Sequence, residues 1–208
     1  MKRSFIIILV LLFLAIFISG CINILPTLED DSIAPGKGRL KIYLTDSSEK
    51  YKANNSETYS EVNITIYKIQ VHLAGDSEEG EGEWIEWVLD VPAEYNLIEL
   101  KDKSILLSEE ELAPGKYTQI RLFITGSSVD IESGESGVPV EIPSVYQTGI
   151  KLIHPFEIIE VESTELTIDF DAGESIIKTG NGSYKLKPTI KVTSRIVINT
   201  TENDNENE

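Results

Sequence analysis

Three carboxylates near residue 170 are the side chains best placed for chemistry. Along Glu165–Asp171, Leu166, Ile168 and Phe170 alternate with Glu165, Thr167, Asp169 and Asp171. In an extended chain successive side chains point to opposite faces, so the acids share one side. Asp171 then opens Ala172-Gly173, with Glu174 just beyond. A hard cation such as Ca²⁺ takes several carboxylate and carbonyl oxygens at short range, which a strand end and a turn can supply. Asp169, Asp171 and Glu174 are therefore the candidate metal ligands, although the full calcium-loop pattern is absent and a solvated acidic face is the plainer reading. The same acids suit a glycoside-hydrolase pair, but any two acids on alternate strand positions meet that spacing. The only imidazole bases are His72 and His154, and neither lies near a Gly-x-Ser-x-Gly turn. No His-x-x-x-His or cysteine pair offers a zinc site. No catalytic residue is expected, and no cofactor beyond a possible Ca²⁺.

The single thiol belongs to Cys21, which closes Ile18-Ser19-Gly20-Cys21 after Lys2, Arg3 and an apolar run from Phe5 to Ile18. Fourteen apolar residues are short for a bilayer span, which takes about 20, and fit the apolar region of a cleaved signal. The arrangement resembles a lipoprotein signal peptide, with small residues that a peptidase accepts and a thiol that takes the lipid. It predicts lipidation at Cys21, a cell-membrane location on the extracytoplasmic face, and the membrane as a partner through that lipid.

Removing residues 1–20 takes away two basic and no acidic side chains, leaving 16 basic against 35 acidic, a formal charge of −19. Phosphate binding needs clustered Lys and Arg, so nucleic acid is excluded as a partner. With no thiol after Cys21 there is no disulfide framework, and a hydrophobic core must hold the fold. Residues 21–37 read as a lipidated tether and 199–208 as a disordered acidic tail. Between them, residues 38–198 suffice for one domain.

Within that domain the apolar period is two. Leu40, Ile42 and Leu44 mark one strand. Val62, Ile64 and Ile66 share one phase while Tyr67, Ile69, Val71 and Leu73 share the other, which predicts a β-bulge near Tyr67-Lys68. Further strands are expected over 84–91, 97–100, 117–125, 138–142, 151–159, 165–171 and 184–198. Pro188, which has no N–H to give, belongs at a sheet edge or at a bend between two strands. Gly75-Asp76, Gly134, Ala172-Gly173 and Gly180-Asn181-Gly182 offer the positive φ of tight turns. The one helical cue is 107–112, where Ser108 precedes three glutamates. Trp84 and Trp87 have opposite phase, so one is expected in the core and one at the rim, with an aromatic platform including Tyr95 as the alternative. Asn54, Asn63, Asn181 and Asn199 each begin Asn-x-Ser/Thr and are candidate glycosylation sites.

Leu112-Ala113-Pro114-Gly115-Lys116-Tyr117 resembles the turn-into-strand of transthyretin-like β-sandwiches, with the Tyr117 hydroxyl reaching backbone at the corner. More broadly, Gly38–Asp46, Val62–Val71, Tyr117–Phe123, Gly149–Leu152, Leu166–Asp171 and Tyr184–Pro188 are similar to the domain of unknown function 4382, found on lipoproteins of bacteria and archaea. The similarity spans about residues 38–193. Asp46 leading into Ser47-Ser48-Glu49 departs from that family's Pro-containing turn. The resemblance implies a β-sandwich and transfers no catalytic residues.

The expectation is an all-β chain: a single antiparallel β-sandwich, transthyretin-like or immunoglobulin-like, behind a signal peptide and tether. Its expected role is non-enzymatic, binding an envelope protein or glycan or assisting envelope assembly. A carboxylate hydrolase of surface polymers and a cation-dependent adhesion module are the alternatives.

Overall fold

Alternation of β-branched and polar residues sets the strands in the computed structural model, which describes residues 32–53, 57–75 and 82–198. One sheet has four strands in the order β12 (Ile190–Val197), β9 (Ser163–Phe170), β1 (Gly38–Thr45) and β5 (Ser104–Leu112). The second sheet is built on two long partners, β3 (Glu57–Leu73) and β6 (Gly115–Ile131). At one end β4 (Glu83–Asn96) flanks β3 and β8 (Ile150–Ile158) flanks β6. At the other end β2 (Lys52–Ala53) pairs with β3, while β7 (Val138–Glu141), β11 (Tyr184–Leu186) and β10 (Ile176–Lys178) continue outward from β6. The core between the sheets is aliphatic, with Leu40, Ile42, Leu44, Ile64, Ile69, Ile120, Leu122, Leu166 and Ile168 fully buried. The expected sandwich is what the chain forms.

Pairing is antiparallel with two exceptions: β1 lies parallel to β9, and β11 to β7. The first follows from chain routing. β8 delivers the chain beside the start of β1, where Val161 N–H donates to Lys37 O at 2.8 Å and Arg39 N–H to Glu162 O at 2.9 Å. β9 therefore enters from the same end as β1.

The phase flip in β3 is a bulge: register shifts between Ile66 and Lys68 against both β4 and β6. Pro188 lies at a bend, since β11 belongs to one sheet and β12 to the other. Three local expectations are corrected. Residues 97–100 form a 3-10 turn instead of a strand, because the Asn96 carboxamide accepts from Ile98 N–H at 3.2 Å and caps it. The helical cue at 107–112 lies in β5. Its glutamates face bases on β1, with Arg39 Nε 3.2 Å and Lys41 Nζ 3.7 Å from the Glu109 carboxylate, so tertiary pairing overrides the local preference. Ala172-Gly173 is no positive-φ turn but begins the short helix α1 (Ala172–Ser175), capped by Asp171. Gly173 is required there for close approach, since a Cβ would stand 2.0 Å from Lys50 O.

Candidate binding surface

The structure gives the acidic end of β9 a structural task. Asp169 accepts from Ser47 through both backbone N–H, at 2.9 Å, and hydroxyl, at 2.5 Å. Asp171 Oδ1 accepts from Glu174 N–H at 2.9 Å and from the Ser48 hydroxyl at 2.8 Å. Glu174 is exposed. Among the described residues no three His, Cys, Asp or Glu side chains gather closely enough to hold a metal. Next to them lies a carboxylate that sequence reasoning placed only at a strand end. Asp46, 1% exposed, accepts from Ser48 N–H at 3.0 Å, Tyr51 hydroxyl at 2.7 Å and Ala172 N–H at 3.2 Å. Buried charge is costly unless its oxygens are satisfied, and here several donors meet it. Burial, reinforced by the Asp46 bond, pushes the Tyr51 hydroxyl far above its ordinary range.

The histidines stand apart from these acids. His72 Nδ1 lies 2.8 Å from Thr118 Oγ1, and His154 Nε2 lies 3.0 Å from Ser194 Oγ. The second pair has nucleophile–base distance, yet among the described residues no carboxylate bonds the other nitrogen of His154 to orient it.

A different set of residues is brought together on the outer face of the second sheet. The inward positions of β4, Ile85 and Trp87, pair with Val71 and Ile69 of β3 and pack against the core. Trp87 Nε1 reaches across to donate to Ser108 Oγ of β5 at 2.7 Å, tying the two sheets. The outward positions then form cross-strand rows: Trp84–His72–Gln119–Ile153 and Glu86–Gln70–Arg121–Lys151. The opposite phases of Trp84 and Trp87 thus separate a core indole from a surface one.

These rows are organised by their own contacts. The Arg121 guanidinium lies 3.9 Å from the centroid of the Trp84 ring, and the His72 ring 4.8 Å from it. An Arg over an indole face is attracted by the ring quadrupole. Lys68 Nζ sits 4.2 Å over the Phe123 ring. Bonds from Gln70 and Lys68 hold the Glu86 carboxyl below its usual range. The buried side-chain oxygens of Gln70 and Gln119 have no hydrogen-bond partner among the described residues, and buried unsatisfied acceptors are uncommon. Val88 and Ile153 are 63% and 75% exposed.

Arg121 and Lys151 also line a groove of about 480 Å³ bounded by Tyr146, Gly149, Pro188 and Ile190, so the second row runs into a depression. Lys68, Arg121 and Lys151 make this face locally basic on a strongly acidic protein. Sequence reasoning missed Gln70, Gln119 and Arg121, whose alignment depends on the register of three strands. Their place on alternating strands beside Trp84 and His72 was the available signal.

A family model described as Domain of unknown function (DUF4382) matches residues 37–188. The chain belongs to this family. The matched span takes in the strands that carry both rows, and ends just before β12. No curated protein and no solved structure matches the chain. DUF4382 membership assigns no chemistry to the chain. Of the sequons, Asn63 and Asn181 are placed by the structure. Cys21, Asn54 and Asn199, with the expected signal, most of the tether and the tail, lie outside the described residues.

Proposed function

We propose that this DUF4382 protein is a lipid-anchored, extracytoplasmic binding module, non-enzymatic, that holds an acidic envelope glycan on the outer face of its second sheet. The observation that carries the reading is the pair of rows across β4, β3, β6 and β8. They place an indole, an imidazole, two carboxamides, a guanidinium and an amine in adjacent positions on the outer face of that sheet. Sugar rings offer C–H faces to aromatic rings and hydroxyls to planar amides, and acidic substituents match Arg121 and Lys151. The basic patch also opposes the overall charge, so a polyanionic ligand meets local attraction here.

The Ile18-Ser19-Gly20-Cys21 segment after its apolar run supports the location, since lipidation at Cys21 would tether a domain whose core needs neither lipid nor disulfide. Mass spectrometry of the protein from its native membrane tests this part. A lipidated Cys21 at a new N-terminus, and release of a folded domain by Cys21→Ser, are expected. An intact residue 1–20 segment would overturn it.

A further inference from the structure

The chain carries four Asn-x-Ser/Thr sequons, and the fold separates the two that the structure describes. Asn63 sits mid-strand in β3, paired to Asn96 on one side and Ser128 on the other. It is only 9% exposed, and its Nδ2 donates to Glu61 Oε2 at 3.0 Å. Attaching a sugar to that nitrogen would break the bond and force bulk into the sheet.

Asn181 has the opposite environment. It sits at the tip of the β10–β11 hairpin, closed by Thr179 N–H to Ser183 O at 2.8 Å and Gly182 N–H to Thr179 O at 3.0 Å. Gly180, Asn181, Gly182 and Ser183 are all exposed. A Cβ added at Gly180 or Gly182 would meet nothing within 4 Å, so both sides of the tip are open. The amide orientation is fixed by chemistry. Ser183 N–H, which can only donate, lies 3.3 Å from the side chain, so the atom facing it is Oδ1. The hydroxyls of Ser183, at 2.9 Å, and Thr179 donate to the same oxygen. Nδ2 therefore turns outward, with no hydrogen-bond partner among the described residues, and the sequon hydroxyl is already held against the amide.

We infer that Asn181 is an N-glycosylation acceptor. The inference rests on the extracytoplasmic location proposed above. The donor is a glycan carried on a lipid phosphate or pyrophosphate, brought by a membrane transferase. The bond formed joins Asn181 Nδ2 to the anomeric carbon. The bond broken is that carbon's link to the phosphate oxygen, which leaves as the lipid phosphate or pyrophosphate. One Nδ2 proton passes to a base of the transferase, and nothing is oxidised or reduced.

Trypsin releases residues 179–185 of the native protein as one peptide holding Asn181 as its sole asparagine. Fragmentation mass spectrometry of this peptide, from protein isolated out of its own membrane, is expected to show a sugar mass on Asn181. The tryptic peptide of residues 53–68 holds Asn54 as well as Asn63, so fragmentation within it is expected to show no sugar on Asn63. Asn181→Gln and Ser183→Ala should remove the mass with unchanged melting curves, and Ser183→Thr should keep it. A Cys21 peptide carrying lipid together with a bare Asn181 would overturn this inference and leave the location standing. An unlipidated protein in the cytosolic fraction would overturn both.

Discussion

Ser48 and Asp171, 123 residues apart in sequence, meet with the Ser48 hydroxyl 2.8 Å from Asp171 Oδ1. The same hydroxyl also donates to Asp46 Oδ1, and its oxygen accepts from Gly173 N–H at 3.1 Å. One proton thus stands between two carboxylates and locks the end of β1 to α1. Ser48→Ala would leave those carboxylates facing each other without it. We expect a loss of about 1–3 kcal/mol, measured by urea unfolding, and a larger loss for Asp46→Ala, which strands several donors at once.

That arrangement bears directly on calcium. Asp169 and Asp171 already accept from Ser47, Ser48 and Glu174, so a cation would have to displace those donors. Ca²⁺ is expected to raise the melting temperature only as far as an equal ionic strength of sodium chloride does, through screening. A saturable rise abolished by Asp171→Asn would establish Asp169, Asp171 and Glu174 as ligands.

Two glycines carry distinct constraints. Gly115 has φ +149°, and a Cβ there meets Leu73 Cδ1 at 3.0 Å, so Gly115→Val combines backbone strain with crowding. Gly173→Ala presses a methyl against Lys50 O, which is backbone and cannot swing away. Each should cost about 1–3 kcal/mol in denaturant melts, whereas Gly134→Ala, with nothing within 4 Å, should suffer only from its positive φ.

The strands were legible because alternation survives without tertiary information. The change of phase at Tyr67-Lys68 located the β3 bulge, and Tyr117 after Pro114-Gly115 foretold a hydroxyl that now donates to Ala113 O at 2.9 Å. β5 was not legible, since Ser-Glu-Glu-Glu suits a helix start until Arg39 and Lys41 are known to lie opposite. α1 hid behind Gly173, whose reason is proximity to Lys50. Of the candidate surface, the phase of Trp84 against Trp87 could be read. The alignment of Gln70, Gln119 and Arg121 could not, because bulges in β3 and β6 set it.

Alkaline stability follows from buried phenols. Burial, assisted by the Glu83 charge, pushes Tyr117 up from 10.0 to about 12. The folded state therefore holds the phenol proton more tightly than the unfolded chain does. That contribution is fully present below pH 10 and is lost as pH rises through about 12. Tyr51, Tyr59, Tyr95 and Tyr184 are raised in the same direction, by burial first. Phenolate absorbance for these residues should appear together with unfolding, and Tyr117→Phe should flatten the fall in stability across that window.

Glycan recognition rests on the outer face of the second sheet. Titration of the purified domain against acidic polysaccharide isolated from the native envelope, followed by calorimetry, tests it most directly. We predict saturable, salt-sensitive binding that falls at least tenfold, about 1.4 kcal/mol, in Trp84→Ala and in Arg121→Glu. Ser194→Ala, beyond that face, should bind as wild type. Equal binding by all of these variants, or no binding by the wild-type domain, would contradict the account.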